Sequence, residues 1–126
     1  QGHAEAQNLL GEMLRDGTVG PADRREANRW FRRAAAQGDA DAQVSLGYAL
    51  FYGEGVRRDR KEALAWYRRS AAQGNDHACF NLGQMYRMGH VVRQSWPAAM
   101  RWYRKAARLG DVAAMHWLGR IYDGRG

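Results

Sequence analysis

The stretches WFRRAAAQGD (residues 30–39), WYRRSAAQGN (66–75) and WYRKAARLGD (102–111) are one element written three times, and their 36-residue spacing decides the architecture. Working outward in the same register, Ala6, Ala42, Ala78 and Ala114 superpose, as do the pairs Leu10-Gly11, Leu46-Gly47, Leu82-Gly83 and Leu118-Gly119. Ala27, Ala63 and Ala99 follow. No gap is needed through three copies, at 3–38, 39–74 and 75–110, with a partial fourth at 111–126.

Each copy reads as two helices. The first carries small or apolar residues at helical spacing, as in Ala42, Leu46, Ala49 and Leu50, and stops at Gly17, Gly53 or Gly89. The second opens at Asp23, Asp59 or Ser95, whose side chains can accept from the free amides of a first helical turn; Glu26 and Glu62 are placed to complete a capping box. Asp39, Asn75 and Asp111 cap the next first helix. Pro21 falls in a loop, and Pro97 in a first helical turn, where a missing amide costs little.

In each second helix, positions 27, 30, 31, 34 and 35 and their copies form one apolar stripe. A lone helix pair cannot bury both its stripes, so the pairs must stack, which predicts an all-α solenoid of about seven helices. The recurring Trp30, Trp66 and Trp102 are expected in the core, and the mid-helix glycines at close helix approaches.

Composition bounds the function. The chain has 126 residues, 45% hydrophobic and 26% charged, enough for an ordinary core. No apolar run approaches the ~18 residues of a membrane span. Cys79 is the only cysteine, which excludes an intrachain disulfide and a multi-thiolate zinc site. The net charge of +7 favours an acidic partner, an anionic surface or nucleic acid.

The Ala, Leu-Gly, Gly-x-Gly-Val (Gly53, Gly55, Val56), Asp, Ala, Trp-Tyr-Arg-Arg and Ala-Ala-x-x-Gly series resembles the Sel-one-like repeat (SLR) family of tetratricopeptide-like α-solenoids across essentially the whole chain. The resemblance implies a right-handed superhelix of antiparallel helix pairs acting as a protein–protein scaffold, often in bacterial envelope, virulence or signalling contexts. Two loops depart from the pattern: Thr18-Val19-Gly20-Pro21 in the first copy, and His90-Val91-Val92 where the second has Glu54-Gly55-Val56.

The register also predicts a single solenoid segment over 1–126 taken from a longer array. Gln1-Gly2 aligns with Gln37-Gly38, and Gly124 stops a fourth first helix one residue early relative to Gly53 and Gly89. End stripes without neighbours would favour end-to-end self-association.

By the same resemblance the first helices line a concave face. Its exposed positions are then Glu5, Asn8, Glu12, Arg15 and Asp16; Asp41, Val44, Tyr48, Phe51 and Tyr52; His77, Phe80, Gln84, Arg87 and Met88; and Ala113, His116 and Arg120. Val44, Tyr48, Phe51, Tyr52, Phe80 and Met88, flanked by Gln84 and by Arg15, Arg87 and Arg120, are the expected binding residues for a protein or peptide, because aromatics and Met are enriched at interfaces. A second reading is a convex ladder of Arg32, Arg33, Arg68, Arg69, Arg104 and Lys105, joined by Arg24, Arg25, Arg29 and Arg101, that binds anions or nucleic acid. A spacer without a partner is a third. Nucleic acid is disfavoured, since no stacking platform interleaves the ladder and no nucleic-acid motif is present.

No metalloprotease, phosphate-loop, nucleophile-elbow or dinucleotide motif is found, so no catalytic residue and no cofactor are assigned. His77 and His116 without a clear third ligand leave a metal shell incomplete, and no metal is assigned either.

Overall fold

Six short polar side chains start six of the helices. In the computed structural model, which describes residues 2–123, the carboxylates of Asp23, Asp39, Asp59 and Asp111, the Asn75 amide oxygen and the Ser95 hydroxyl each accept from the backbone amide three residues on. The helices are α1 (Gly2–Asp16), α2 (Arg24–Ala36), α3 (Ala40–Tyr52), α4 (Arg60–Ala72), α5 (Asp76–Met88), α6 (Trp96–Arg108) and α7 (Val112–Tyr122), with no strand among the described residues. α3 and α5 end on Gly53 and Gly89 in the left-handed conformation at φ 74°, which only glycine adopts without steric cost. Gln1 and the expected stop at Gly124 lie outside the described residues.

The capping boxes are half made. The amides that Glu26 and Glu62 would have bound are already taken, because Asp23 N–H donates to Leu14 C=O and Asp59 N–H to Leu50 C=O, both at 2.8 Å. Ser95 N–H donates likewise to Tyr86 C=O at 2.9 Å. These bonds tie the start of each second helix to the end of the first. Glu26 and Glu62 are left to accept from Arg29 (2.8 Å) and Arg32 (2.9 Å) instead.

The chain divides into two compact units, Gln1–Ser70 and Ala71–Gly126. In the first, α1 packs on α2 and α2 on α3; in the second, α5 packs on α6 and α6 on α7. The Leu-Gly glycines explain the close approach within each hairpin. A Cβ on Gly11 would lie 2.7 Å from the Phe31 ring, on Gly47 2.7 Å from Tyr67 and on Gly83 2.6 Å from Tyr103. α1, α3 and α5 therefore each offer a bare backbone patch on which the aromatic ring of the following helix sits. Phe31, Tyr67, Tyr103, Leu46 and Leu82 are buried around these seats with the recurring alanines.

The tryptophans are a correction. Trp30, Trp66 and Trp102 are half-buried at the edge of the stripe rather than in its centre. A cation three residues on lies over each ring: Arg33 at 4.7 Å, Arg69 at 4.6 Å and Lys105 at 5.6 Å from the centroid. Part of the basic ladder thus covers aromatic faces.

Asn8, expected to be exposed, is buried on α1, and its amide oxygen has no hydrogen-bond partner. The loop departure at 90–92 also has a physical signature. Val91 is the non-glycine residue at positive φ (67°), and Val92 N–H donates back to His90 C=O across it, a tight γ-turn. Its counterpart one repeat earlier, Gly55, sits at φ 75°.

Candidate interaction surfaces

In the first unit the expected binding residues lie along α3. Tyr48 and Tyr52, one helical turn apart, are 46% and 55% exposed, and their rings pack tilted at 4.7 Å. Val44, one turn earlier, is half-buried. Arg15 comes from the end of α1, lies 5.6 Å from the Phe31 centroid and shares with Tyr48 a crevice of about 20 Å³, room for one water. Asp16 beside it is held below the usual carboxylate range by its hydrogen bond to Arg15 and by that residue's charge.

Phe51 must be withdrawn from the exposed set. It is 8% exposed, with the Arg60 guanidinium 4.3 Å from its ring centroid and the Arg60 Nε–H donating to its carbonyl. At helical spacing it lies about 100° from Tyr52, far enough around α3 to be covered by the start of α4.

In the second unit the expected residues are mutually engaged. Phe80 is half-buried against Tyr103, with ring centroids 5.6 Å apart. The Tyr103 hydroxyl donates to the Gln84 side-chain oxygen, which also accepts from Arg87 at 3.0 Å. Arg87 in turn donates to the Tyr103 oxygen and lies 3.9 Å from the Trp117 centroid. Burial raises the Tyr103 pKa, with Arg87 opposing the shift, so the phenol stays protonated and can donate. Arg120 covers Trp117 as well, at 5.0 Å, and Trp117 stacks on Tyr103 at 6.4 Å. Arg87 and Arg120 are therefore packed against one aromatic ring. Met88 is open to solvent at 54% exposure.

Trp117 was not among the expected binding residues, yet it lies between the two arginines. The available signal was that α7 brings the one tryptophan on a first helix, where the other copies have Leu9, Ser45 and Asn81.

The basic ladder of the second helices is uneven. In the first unit Arg29 pairs with Glu26 and Arg32 with Glu62, while Arg33 and Arg69 cover tryptophans. Among the described residues one group of three potential metal ligands converges: Asp76, His77 and Asp111. It includes neither His116 nor Cys79. Asp111 already caps α7 through Ala114 N–H, and its other oxygen is 3.4 Å from His77 Nδ1. Two helix N-termini, each carrying partial positive charge, meet at this group and oppose a cation there.

Helix hairpins with a 36-residue period, in which a first-helix glycine seats a second-helix aromatic ring, define an α-solenoid repeat protein. The chain belongs to the Sel1 repeat family, whose model matches residues 4–39, 40–75 and 76–111 consecutively. Among solved structures it is similar to a Sel1 repeat protein from Oxalobacter formigenes, at 39% identity and a TM-score of 0.89, over 98% of this chain and 51% of that one. It is also similar to c5321, a protective antigen of uropathogenic Escherichia coli strains with an SLR fold, at 35% identity and a TM-score of 0.90, over 97% of this chain and 26% of that one. Cysteine rich protein B of Helicobacter pylori shares the fold at 20% identity and a TM-score of 0.72, over 90% and 88% of the two chains. The chain thus spans about half, or a quarter, of the length of the first two. No curated protein sequence matches it. Sel1 repeats generally serve as protein-interaction scaffolds, and no described helix is long and apolar enough to cross a membrane.

Proposed function

We propose that this chain is a non-enzymatic scaffold that binds a protein or peptide through the exposed faces of its first helices. In the first unit the binding residues are Tyr48 and Tyr52 with Val44 and Arg15. In the second they are Phe80, Gln84, Arg87, Met88 and Arg120. The observation that carries the reading is the Tyr48–Tyr52 pair: two large aromatic rings held against each other yet half open to solvent. Such a pair offers much contact area for little lost side-chain freedom, which is how aromatic anchors become dominant interface residues. The engaged state of Arg87 and Gln84 fits the same role, since a side chain already fixed loses less entropy on binding. A single solenoid segment over 1–126, belonging to a longer array, remains part of this proposal.

The test uses the chain as bait in capture from bacterial lysate and envelope extract, beside Tyr48→Ser/Tyr52→Ser and Met88→Ser variants with matched helicity and melting. A retained protein that is lost with either variant supports the reading. Retention unchanged by both refutes it.

A further inference from the structure

The second helices are not equivalent in charge. α6 (WPAAMRWYRKAAR) contains no acidic residue and has Ala98 where α2 and α4 carry Glu26 and Glu62. It has also gained cations: Arg101 and Arg108 stand where the second copy has Ala65 and Ala72. At about 100° per residue, Arg101, Arg104, Lys105 and Arg108 fall within an arc of about 100° on one helix face, along a stripe of about 10 Å. These four residues, with Trp102 and Tyr86, line an open groove of about 570 Å³ in the second unit.

The four cations differ in their engagement. Arg104 donates to the Tyr122 hydroxyl at 2.8 and 3.1 Å, and the Lys105 ammonium lies over the Trp102 ring. Both are held in position by uncharged groups, which leaves their charge uncompensated. Arg101 and Arg108 are exposed and make no hydrogen bond or ion pair among the described residues. In the first unit, by contrast, a carboxylate meets an arginine at the corresponding places on α2 and α4.

We propose that this α6 groove is a second binding site, separate from the first-helix surfaces, and that it takes an acidic peptide segment in which carboxylates flank an aromatic or large apolar residue. The carboxylates pair with Arg101 and Arg108, whose guanidinium forks each offer two parallel bonds to a carboxylate, and with the Lys105 ammonium. The apolar residue lies against Trp102 and Tyr86. Charge complementarity selects an anion, and the shortness of the stripe selects a peptide over a polynucleotide. A nucleic-acid strand needs a basic track that continues along its backbone, and Glu26 and Glu62 stand among the arginines of α2 and α4.

The experiment is fluorescence anisotropy of the full chain with a short fluorescein-labelled peptide of repeating Glu-Glu-Phe. Its comparators are the Gln-Gln-Phe peptide and an oligothymidylate of equal net charge. The acidic peptide is expected to bind more tightly than both, and more weakly as salt rises. Arg101→Gln/Arg108→Gln should weaken binding about tenfold or more with unchanged melting, because both side chains are exposed and unpaired. Equal binding of the Glu and Gln peptides, or no effect of Arg101→Gln/Arg108→Gln, overturns the site. Tighter binding of the oligothymidylate overturns the assignment of a peptide. Loss of the tyrosine-dependent partner leaves this site's binding unchanged, so the two proposals fail separately.

Discussion

Gly47→Ala separates a steric account of the recurring glycine from a merely permissive one. The new Cβ would stand 2.7, 2.9 and 3.3 Å from Cε1, Cδ1 and Cζ of Tyr67. That ring is 2% exposed and packed on all sides, so it cannot swing away as the tip of a flexible chain could. Forcing one methyl into such a contact costs about 1–3 kcal/mol. Against this, alanine is better than glycine in a helix interior by ~1 kcal/mol. The net expectation is a loss of up to about 2 kcal/mol, or up to roughly 1 M in urea midpoint, read by far-ultraviolet circular dichroism. Gly119 is the internal control: it holds the same repeat position, but a Cβ there meets nothing within 4 Å. Gly119→Ala should keep only the propensity gain and stabilise by up to about 1 kcal/mol. In a Tyr67→Leu background the penalty at position 47 should largely vanish, because the ring that causes it is gone. If Gly47→Ala stabilises as Gly119→Ala does, the aromatic seat is not what the glycine is for.

Three further outcomes follow from local features. Val91→Gly should stabilise by about 0.5–1 kcal/mol in the same titration, since a β-branched residue at positive φ is strained and glycine there is not, less the entropy glycine adds to the unfolded chain; a loss of stability would mean that the Val91 side chain packs more than it strains. Asn28→Ala should cost about 1–2 kcal/mol, because the buried Asn28 amide donates to Glu54 C=O at 2.8 Å and would leave that carbonyl without it; a neutral result would show water replacing the bond. Cys79 is fully buried, and burial raises its thiol pKa against the opposing charge of Lys105. Little thiolate therefore forms at pH 8, and iodoacetamide labelling followed by mass spectrometry should run at least about a hundredfold slower than in urea, quickening only as pH rises further. Labelling at the rate of a free thiol would refute both the burial and the shift.

Helix number, hairpin pairing and caps were readable because each depends on residues near in sequence and is stated three times over. The phase of the apolar stripe was readable too, and the glycine seats were anticipated as close approaches. What escaped the sequence were matters of degree and competition. A spacing rule places Trp66 on the stripe but cannot say that it sits at the stripe's edge under Arg69. Glu26 and Glu62 have the spacing of a capping box, yet the amide they would bind is claimed by a carbonyl of the preceding helix. Phe51 and Tyr52 are adjacent in sequence, and only the packing of Arg60 decides that one is covered and the other open. The resemblance placed Asn8 on the exposed face together with its copies Val44 and Phe80, and it is buried instead. The uneven charge of α6 was present in the sequence as Ala98, Arg101 and Arg108, but it was hidden by treating the ladder as uniform.

The amide of each second-helix cap donates to a carbonyl at the end of the first helix, while the glycine seat fixes how deeply the two helices nest. Both constraints are satisfied inside one period of the chain. A recombination joint that exchanges one Trp-Tyr-Arg element for another, at equivalent positions 36 residues apart, therefore reproduces every cap and every seat it crosses. A copy gained or lost whole carries its own cap and seat contacts with it. The surface residues between those fixed points, such as the tyrosines of α3 and the cations of α6, are then free to diverge copy by copy.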